Sequence, residues 1–219
     1  MSDKTPSSVP LFNAPLEGGV PVPRLILASA SSARGAMLTR GGVPFVKDAS
    51  SVDEDEIKRA MRAEGASAED LAVALAEMKA RQVGRRHDGA LIVGSDQVLV
   101  CEERWFDKPA DRAAARAQLL ALRGKTHMLV SAAVVLRSGE RLWHHIGRAH
   151  LTVRPFSDSF LDGYLDAAGD AILGSVGAYQ LEGLGAQLFS RVEGDYFTIL
   201  GMPLLPLLDF LRNHGVVKP

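Results

Sequence analysis

The sequence has little of several things that would have directed its reading elsewhere. It holds one cysteine, Cys101, which excludes an internal disulfide and a cysteine-ligated zinc site. That thiol sits in an apolar run and reads as inert core. No apolar stretch approaches the roughly 18 residues that cross a bilayer. The N-terminus lacks a basic segment followed by an apolar one, so no signal peptide and no membrane partner are expected, and the expected location is cytoplasmic. Net charge is −1 and aromatics make up 6%, so the basic surplus and stacking surface of a nucleic-acid binder are both missing. The histidines show no metal-ligand spacing. No Ser/His/Asp arrangement or nucleophile elbow can be assigned, and no Walker loop is present.

What is present is an ordinary globular balance, 47% hydrophobic and 23% charged over 219 residues, enough for one domain or two closely packed lobes. Residues 1–22 carry Pro6, Pro10, Pro15 and Pro21 with several serines, and read as a flexible N-terminal extension to a single domain over 23–219.

The chain is organised around Ala90 to Val100. Leu91, Ile92 and Val93 lead in, Val98, Leu99 and Val100 lead out, and Gly94-Ser95-Asp96-Gln97 lies between. The run predicts a strand buried on both faces. A carboxylate inside such a strand costs several kcal/mol unless it is paired, binds a metal or opens onto a cleft. Asp96 is therefore the candidate chemical centre, against the alternative of a tight turn through Gly94 and Ser95. Gly94 allows close approach of a ligand or another backbone.

Around it the pattern predicts strands at 24–28 and 43–46, a helix at 35–40 stopped by Gly41-Gly42, and an acidic patch over Asp53 to Glu56. A helix capped by Ser67 and Asp70 follows, with Leu71, Leu75 and Met78 as its buried stripe. A hairpin through Glu102-Glu103 leads into Trp105-Phe106, then a helix over 111–122 and two long strands at 128–136 and 142–153. Ser157 caps another helix, Gly194-Asp195 reads as a turn, and Pro203 opens a C-terminal helix. Intermixed helices and strands with an antiparallel pair predict an α/β fold with a mixed sheet and flanking helices.

Four groups could carry chemistry. Ser29-x-Ser31-x-x-Arg34 lies between a strand and a helix, where backbone N–H groups, hydroxyls and a guanidinium suit phosphate; a serine cap beside a surface arginine would look the same. Glu54 is either part of a solvated acidic face or a second oxygen ligand with Asp96 for a divalent ion. Lys79 lies near the inward face of its helix and Lys108 at a strand end; each could be a surface charge, and with Arg34 they could neutralise a polyphosphate. Gly174 to Gly185 holds Tyr179 and Glu182 among four glycines, a composition suited to a ligand loop.

In order along the chain stand Leu27-Ala28-Ser29-Ala30-Ser31-x-x-Arg34, Asp53-Glu54, Glu77-x-Lys79-Ala80, Gly94-Ser95-Asp96-Gln97, Lys108-Pro109, Leu122-x-Gly124-x-Thr126-His127, Gly177-x-Tyr179-x-x-Glu182-Gly183-x-Gly185, Glu193-Gly194-Asp195-Tyr196 and Leu200-Gly201-Met202-Pro203-Leu204. This set resembles the Maf family of nucleoside triphosphate pyrophosphatases from Arg24 to Arg212. The resemblance implies two lobes around a central cleft, akin to inosine triphosphatases, and hydrolysis of a nucleoside triphosphate to monophosphate and pyrophosphate with Mg²⁺ or Mn²⁺. It implies Asp96 as general base, Glu54 and Asp96 as metal ligands, Lys79 and Lys108 as further catalytic residues, and Ser29, Ser31 and Arg34 on the phosphates. It assigns base selection to Ala33, Gln97 and Glu182. The pair Asp96-Gln97 and the residue Glu182 resemble the 7-methyl-GTP branch, with Glu182 accepting from a guanine edge and Gln97 donating to an exocyclic oxygen. Ala33 departs from that branch, which tends to carry a stacking tryptophan there. The sequence leaves a homodimer open. A rival reading is a nucleotide-binding regulator linked to septum formation that does not turn its ligand over.

Overall fold

The computed structural model describes residues 22–218; the extension expected over 1–22 lies, save for Val22, outside them. The elements run β1 (Leu25–Leu27), α1 (Ser32–Arg40), β2 (Val46–Lys47), α2 (Glu54–Ala63), α3 (Ala68–Gly84), β3 (Leu91–Cys101) and β4 (Arg104–Phe106). They continue with α4 (Arg112–Leu122), β5 (Thr126–Arg137), β6 (Glu140–Val153), α5 (Asp158–Ala168), two short 3₁₀ turns, β7 (Phe189–Gly194), α6 (Tyr196–Ile199) and α7 (Leu204–Asn213).

One mixed sheet carries the order β2-β1-β3-β5-β6-β7, with β4 on β3 outside that path. β2, β1 and β3 are parallel, and β3, β5, β6 and β7 alternate in direction. The expected α/β mixed sheet with flanking helices is what forms. β3 is its spine. One edge pairs continuously with β5, from Ile92–Leu136 to Val100–Met128. The other edge is shared: β1 takes Leu91 to Val93, and β4 takes Leu99 to Cys101. Between them Gly94 to Val98 have no strand partner on that side among the described residues, so the sheet opens at the strand's middle, where Asp96 sits.

Side chains alternate across β3. Ile92 and Val98 join the apolar cluster under α3, while Leu91 and Val93 join the cluster under α1 and α7. Leu99 belongs to a third cluster with α4 and α5. Gly94 lies on the α3 face: a Cβ there would stand 2.0 Å from the Ala76 carbonyl oxygen and 2.9 Å from the Ala80 Cβ. The close approach that this glycine permits is thus by a helix backbone. Ala72, Ala76 and Ala80 form the flat face that uses it, all buried.

Several local expectations hold, with reasons visible in the contacts. Ser67 and Asp70 form a reciprocal capping box, and Gly41 caps α1 with Met37 and Leu38 buried. Ala115, Leu119 and Leu122 face inward on α4, and Ser157 caps α5. Others are corrected. The strand expected over 43–46 shrinks to Val46–Lys47, because Val43 turns into the core under α1. Met78 is 40% exposed rather than buried; the inward stripe of α3 runs through alanines, and Lys79 takes the place beside it. The acidic patch is a helix start, with Asp53 capping the Asp55 and Glu56 amides. An unexpected edge strand, β7, precedes Asp195, which caps the one-turn α6.

Candidate active site

Asp96 is 6% exposed and its position is set by α3. Because Gly94 lets α3 settle onto β3, Lys79 reaches across and its Nζ donates to Asp96 Oδ1 at 2.5 Å. The same ammonium lies 2.6 Å from Glu54 Oε1 at the first turn of α2. Two carboxylates from different elements therefore share one buried cation, which is 8% exposed. Such a pairing offsets the desolvation that either charge would suffer alone. Asp96 Oδ2 has no hydrogen-bond partner among the described residues.

Glu54 is held from both sides. Burial alone would raise its carboxyl, but Lys79 and then Lys58 outweigh it and hold the group below the usual carboxylate range. Lys58 Nζ stands 3.4 Å from Glu54 Oε2 and 2.7 Å from Asp107 Oδ1. Asp107, Lys58, Glu54, Lys79 and Asp96 thus form a line of alternating charge across the opening in the sheet. Lys108, beside Asp107, is exposed and makes no ion pair among the described residues.

The Ser29–Arg34 turn contributes in an ordered way. Ser31 caps α1, its hydroxyl accepting from the Arg34 amide. Ser29 is 5% exposed, and its Oγ accepts from the Ser31 amide and from Arg34 Nη1. Arg34 Nε donates to the Gly201 carbonyl at 2.8 Å. Burial pulls the guanidinium below its ordinary value, countered by Asp96 and Glu54. Ser95 Oγ donates to the same Gly201 carbonyl, tying that turn to β3.

Gln97 points to the face opposite Asp96. Its Nε2 lies 3.0 Å from the Thr198 carbonyl, 3.1 Å from that of Ile199 and 2.9 Å from Ser131 Oγ. Carbonyl oxygens only accept, so these partners fix the amide with its nitrogen toward α6. The N–H groups of Gln97 are thus engaged within the protein, and its Oε1 has no hydrogen-bond partner among the described residues.

The loop after α5 is pinned beneath the site. Tyr179 OH lies 2.7 Å from His127 Nε2, and Tyr164 OH donates to the Ala178 carbonyl. Burial drives the His127 imidazole down to about 4, with His150 adding to this, and pushes the Tyr164 phenol up to about 12. The His127 ring is therefore neutral at ordinary pH.

These parts surround a cavity of about 770 Å³. Ser31, Ala33, Arg34, Glu54, Lys79, Asp96, Gln97, Lys108 and Glu182 all line it, so nearly every residue singled out in the sequence converges there. Ser29 instead lies behind Arg34. The sequence reading passed over Lys58 and Trp105, which also line the cavity. Lys58 was detectable through its i, i+4 spacing from Glu54. Trp105 places an aromatic surface in the cavity that Ala33 does not provide.

An α/β sheet opens beside a carboxylate–lysine–carboxylate chain in which Asp96 and Lys79 are buried and Glu54 is half-buried, with Arg34 and Lys108 lining the same cavity. The comparisons place the chain more closely: residues 24–214 match the model of the Maf-like protein family, and the chain belongs to that family. It is 59% identical over 194 residues to a nucleoside triphosphate pyrophosphatase of Paramagnetospirillum magneticum, covering 89% of this chain and 100% of that one. Another protein of that name, from Rhodospirillum rubrum, is 55% identical over 196 residues, covering 90% of this chain and 97% of that one. A 7-methyl-GTP pyrophosphatase of Rhizobium meliloti is 49% identical over 195 residues, covering 89% and 98%. No helix among the described residues is long and apolar enough to cross a membrane.

Proposed function

We propose that the protein hydrolyses a nucleoside triphosphate to the monophosphate and pyrophosphate, with Asp96 as the base that accepts a proton from the attacking water. The observation that carries this reading is the Asp96–Lys79–Glu54 chain, its aspartate and lysine buried, opening onto a cavity also lined by Arg34 and Lys108. Water attacks the α-phosphorus, and its proton passes to Asp96 Oδ2. The bond from that phosphorus to the bridging oxygen breaks, and pyrophosphate leaves with the electron pair. Lys79, Lys108 and Arg34 supply positive charge where charge accumulates, which is most of what phosphoryl displacement asks of a protein. Ser31 offers the N-terminus of α1 to a phosphate, and Ser29 holds the Arg34 guanidinium in place.

Asp96 and Glu54 are the residues that would hold Mg²⁺ or Mn²⁺. Their oxygen chemistry fits such hard ions, which are often bound through one or two carboxylates with substrate phosphates completing the shell. When bound, that ion neutralises phosphate charge.

The base facing Gln97 and Glu182 meets acceptors on both. A base presenting adjacent N–H donors, as guanine does, matches them, and the carboxylate of Glu182 favours a methylated, cationic guanine. The similarity to a relative named 7-methyl-GTP pyrophosphatase supports the same choice. The test is pyrophosphate release from a panel of standard and methylated triphosphates with Mg²⁺ or Mn²⁺. Guanine-type nucleotides are expected to react fastest, Glu182→Gln to shift the ranking away from them, and Asp96→Asn to slow turnover about 1,000-fold. No pyrophosphate from any nucleotide would sink the enzymatic reading; an unchanged ranking in Glu182→Gln would sink the choice of base.

A further inference from the structure

Helix α2 carries Glu54 yet buries none of its own residues completely. Ile57 and Met61 rest only partly against the α3 core. Charged contacts add to that hold. Glu54 pairs with Lys79, Lys58 pairs with Asp107, and the Arg62 guanidinium lies 5.0 Å over the Trp105 ring. Asp107 is a firm post, because its carbonyl accepts from Gln118 Nε2 on α4 at 2.8 Å. Lys58 therefore spans from a lightly packed helix to a fixed strand end, and the next residue along that end is Lys108.

We propose that Lys58 is a positioning residue for the hydrolysis described above. It keeps Glu54 turned into the cleft and fastens α2 to the Asp107–Lys108 segment, so that carboxylate and lysine meet the triphosphate together. It also engages the Asp107 carboxylate, which would otherwise be available to neutralise its neighbour Lys108. Lys58 lies outside all of the sequence motifs that mark the site, and its side chain is 20% exposed. The proposal rests on the pyrophosphatase reading for its kinetic consequence, but its structural half stands apart from turnover.

The experiment compares the full chain with Lys58→Met, Lys58→Arg, Asp107→Asn and the Lys58→Met/Asp107→Asn double variant. Steady-state pyrophosphate release and deuterium exchange of the α2 amides are both measured. Lys58→Met and Asp107→Asn are each expected to lower kcat by about 10-fold with melting temperature nearly unchanged, and the double variant to be no worse than either single one, as coupled partners behave. Lys58→Arg should restore most of the rate. Exchange over residues 54–63 should quicken in both single variants and no further in the double. Wild-type kcat in Lys58→Met, additive losses in the double, or unaltered α2 exchange would each overturn the proposal. A wild-type protein that releases no pyrophosphate, while α2 exchange responds as stated, would instead overturn the hydrolytic reading and with it the kinetic role of Lys58.

Discussion

Replacing Gly94 by alanine sets a methyl group 2.0 Å from the Ala76 carbonyl oxygen and 2.9 Å from the Ala80 Cβ. Both obstacles belong to α3, and the nearer one is backbone, so no side chain can swing aside. Restoring ordinary contact at roughly 3.5 Å requires α3 to withdraw by about 1.5 Å. Overpacking of this kind costs about 1–3 kcal/mol, and a rigid backbone contact belongs at the upper end. For a domain of this size about 3 kcal/mol lowers the melting temperature by about 6–12 °C. The same withdrawal carries Lys79 away from Asp96 and Glu54, and a misplacement near 1 Å is worth about 100-fold in rate. Thermal unfolding and initial-rate kinetics on Gly94→Ala read the two effects separately. A variant within about 1 °C of wild type and at full rate would refute the reasoning that Gly94 sets the helix that sets the lysine.

Other outcomes follow from the same contacts. Lys79→Met leaves the Asp96 carboxylate buried without its cation and is expected to destabilise by about 3 kcal/mol, part of which Lys79→Met/Asp96→Asn recovers; chemical denaturation measures both. His127 is neutral when folded, with its pKa near 4 against an ordinary 6.5, so the unfolded chain binds the extra proton between those values. Stability is then complete above about pH 6.5 and declines toward pH 4, by on the order of 3 kcal/mol, and His127→Phe should flatten that slope in denaturation titrations. Glu54 adds a further loss: its lowered pKa gives stability present above the ordinary carboxylate range and lost as pH falls through the folded value. Gln97→Glu places a carboxylate against the Thr198 and Ile199 carbonyls and should destabilise α6 by about 1–3 kcal/mol, visible as faster deuterium exchange there.

Much of the site was legible because its chemistry conflicts with its surroundings. Asp96 stands in an apolar strand, and the structure answers the conflict with Lys79 and an opening in the sheet. The mixed sheet, the capping box at Ser67 and the inward faces of α4 were equally readable, since each depends on short-range pattern. The partner set of Gln97 was not. Its N–H groups are engaged by carbonyls at Thr198 and Ile199, a hundred residues away, and nothing local to Gln97 announces that. Met78 misled because a stripe of alanines, enabled by Gly94 on another element, shifted the buried face of α3. Strand β7 escaped because its residues are nearly all exposed and, among the described residues, it pairs with β6 alone.

Hydrolysis in water enriched in heavy oxygen tests the central claim most directly. If water activated at Asp96 attacks the α-phosphorus, the heavy oxygen appears in the nucleoside monophosphate and the pyrophosphate stays unlabelled. Label in pyrophosphate or in released orthophosphate would contradict the account.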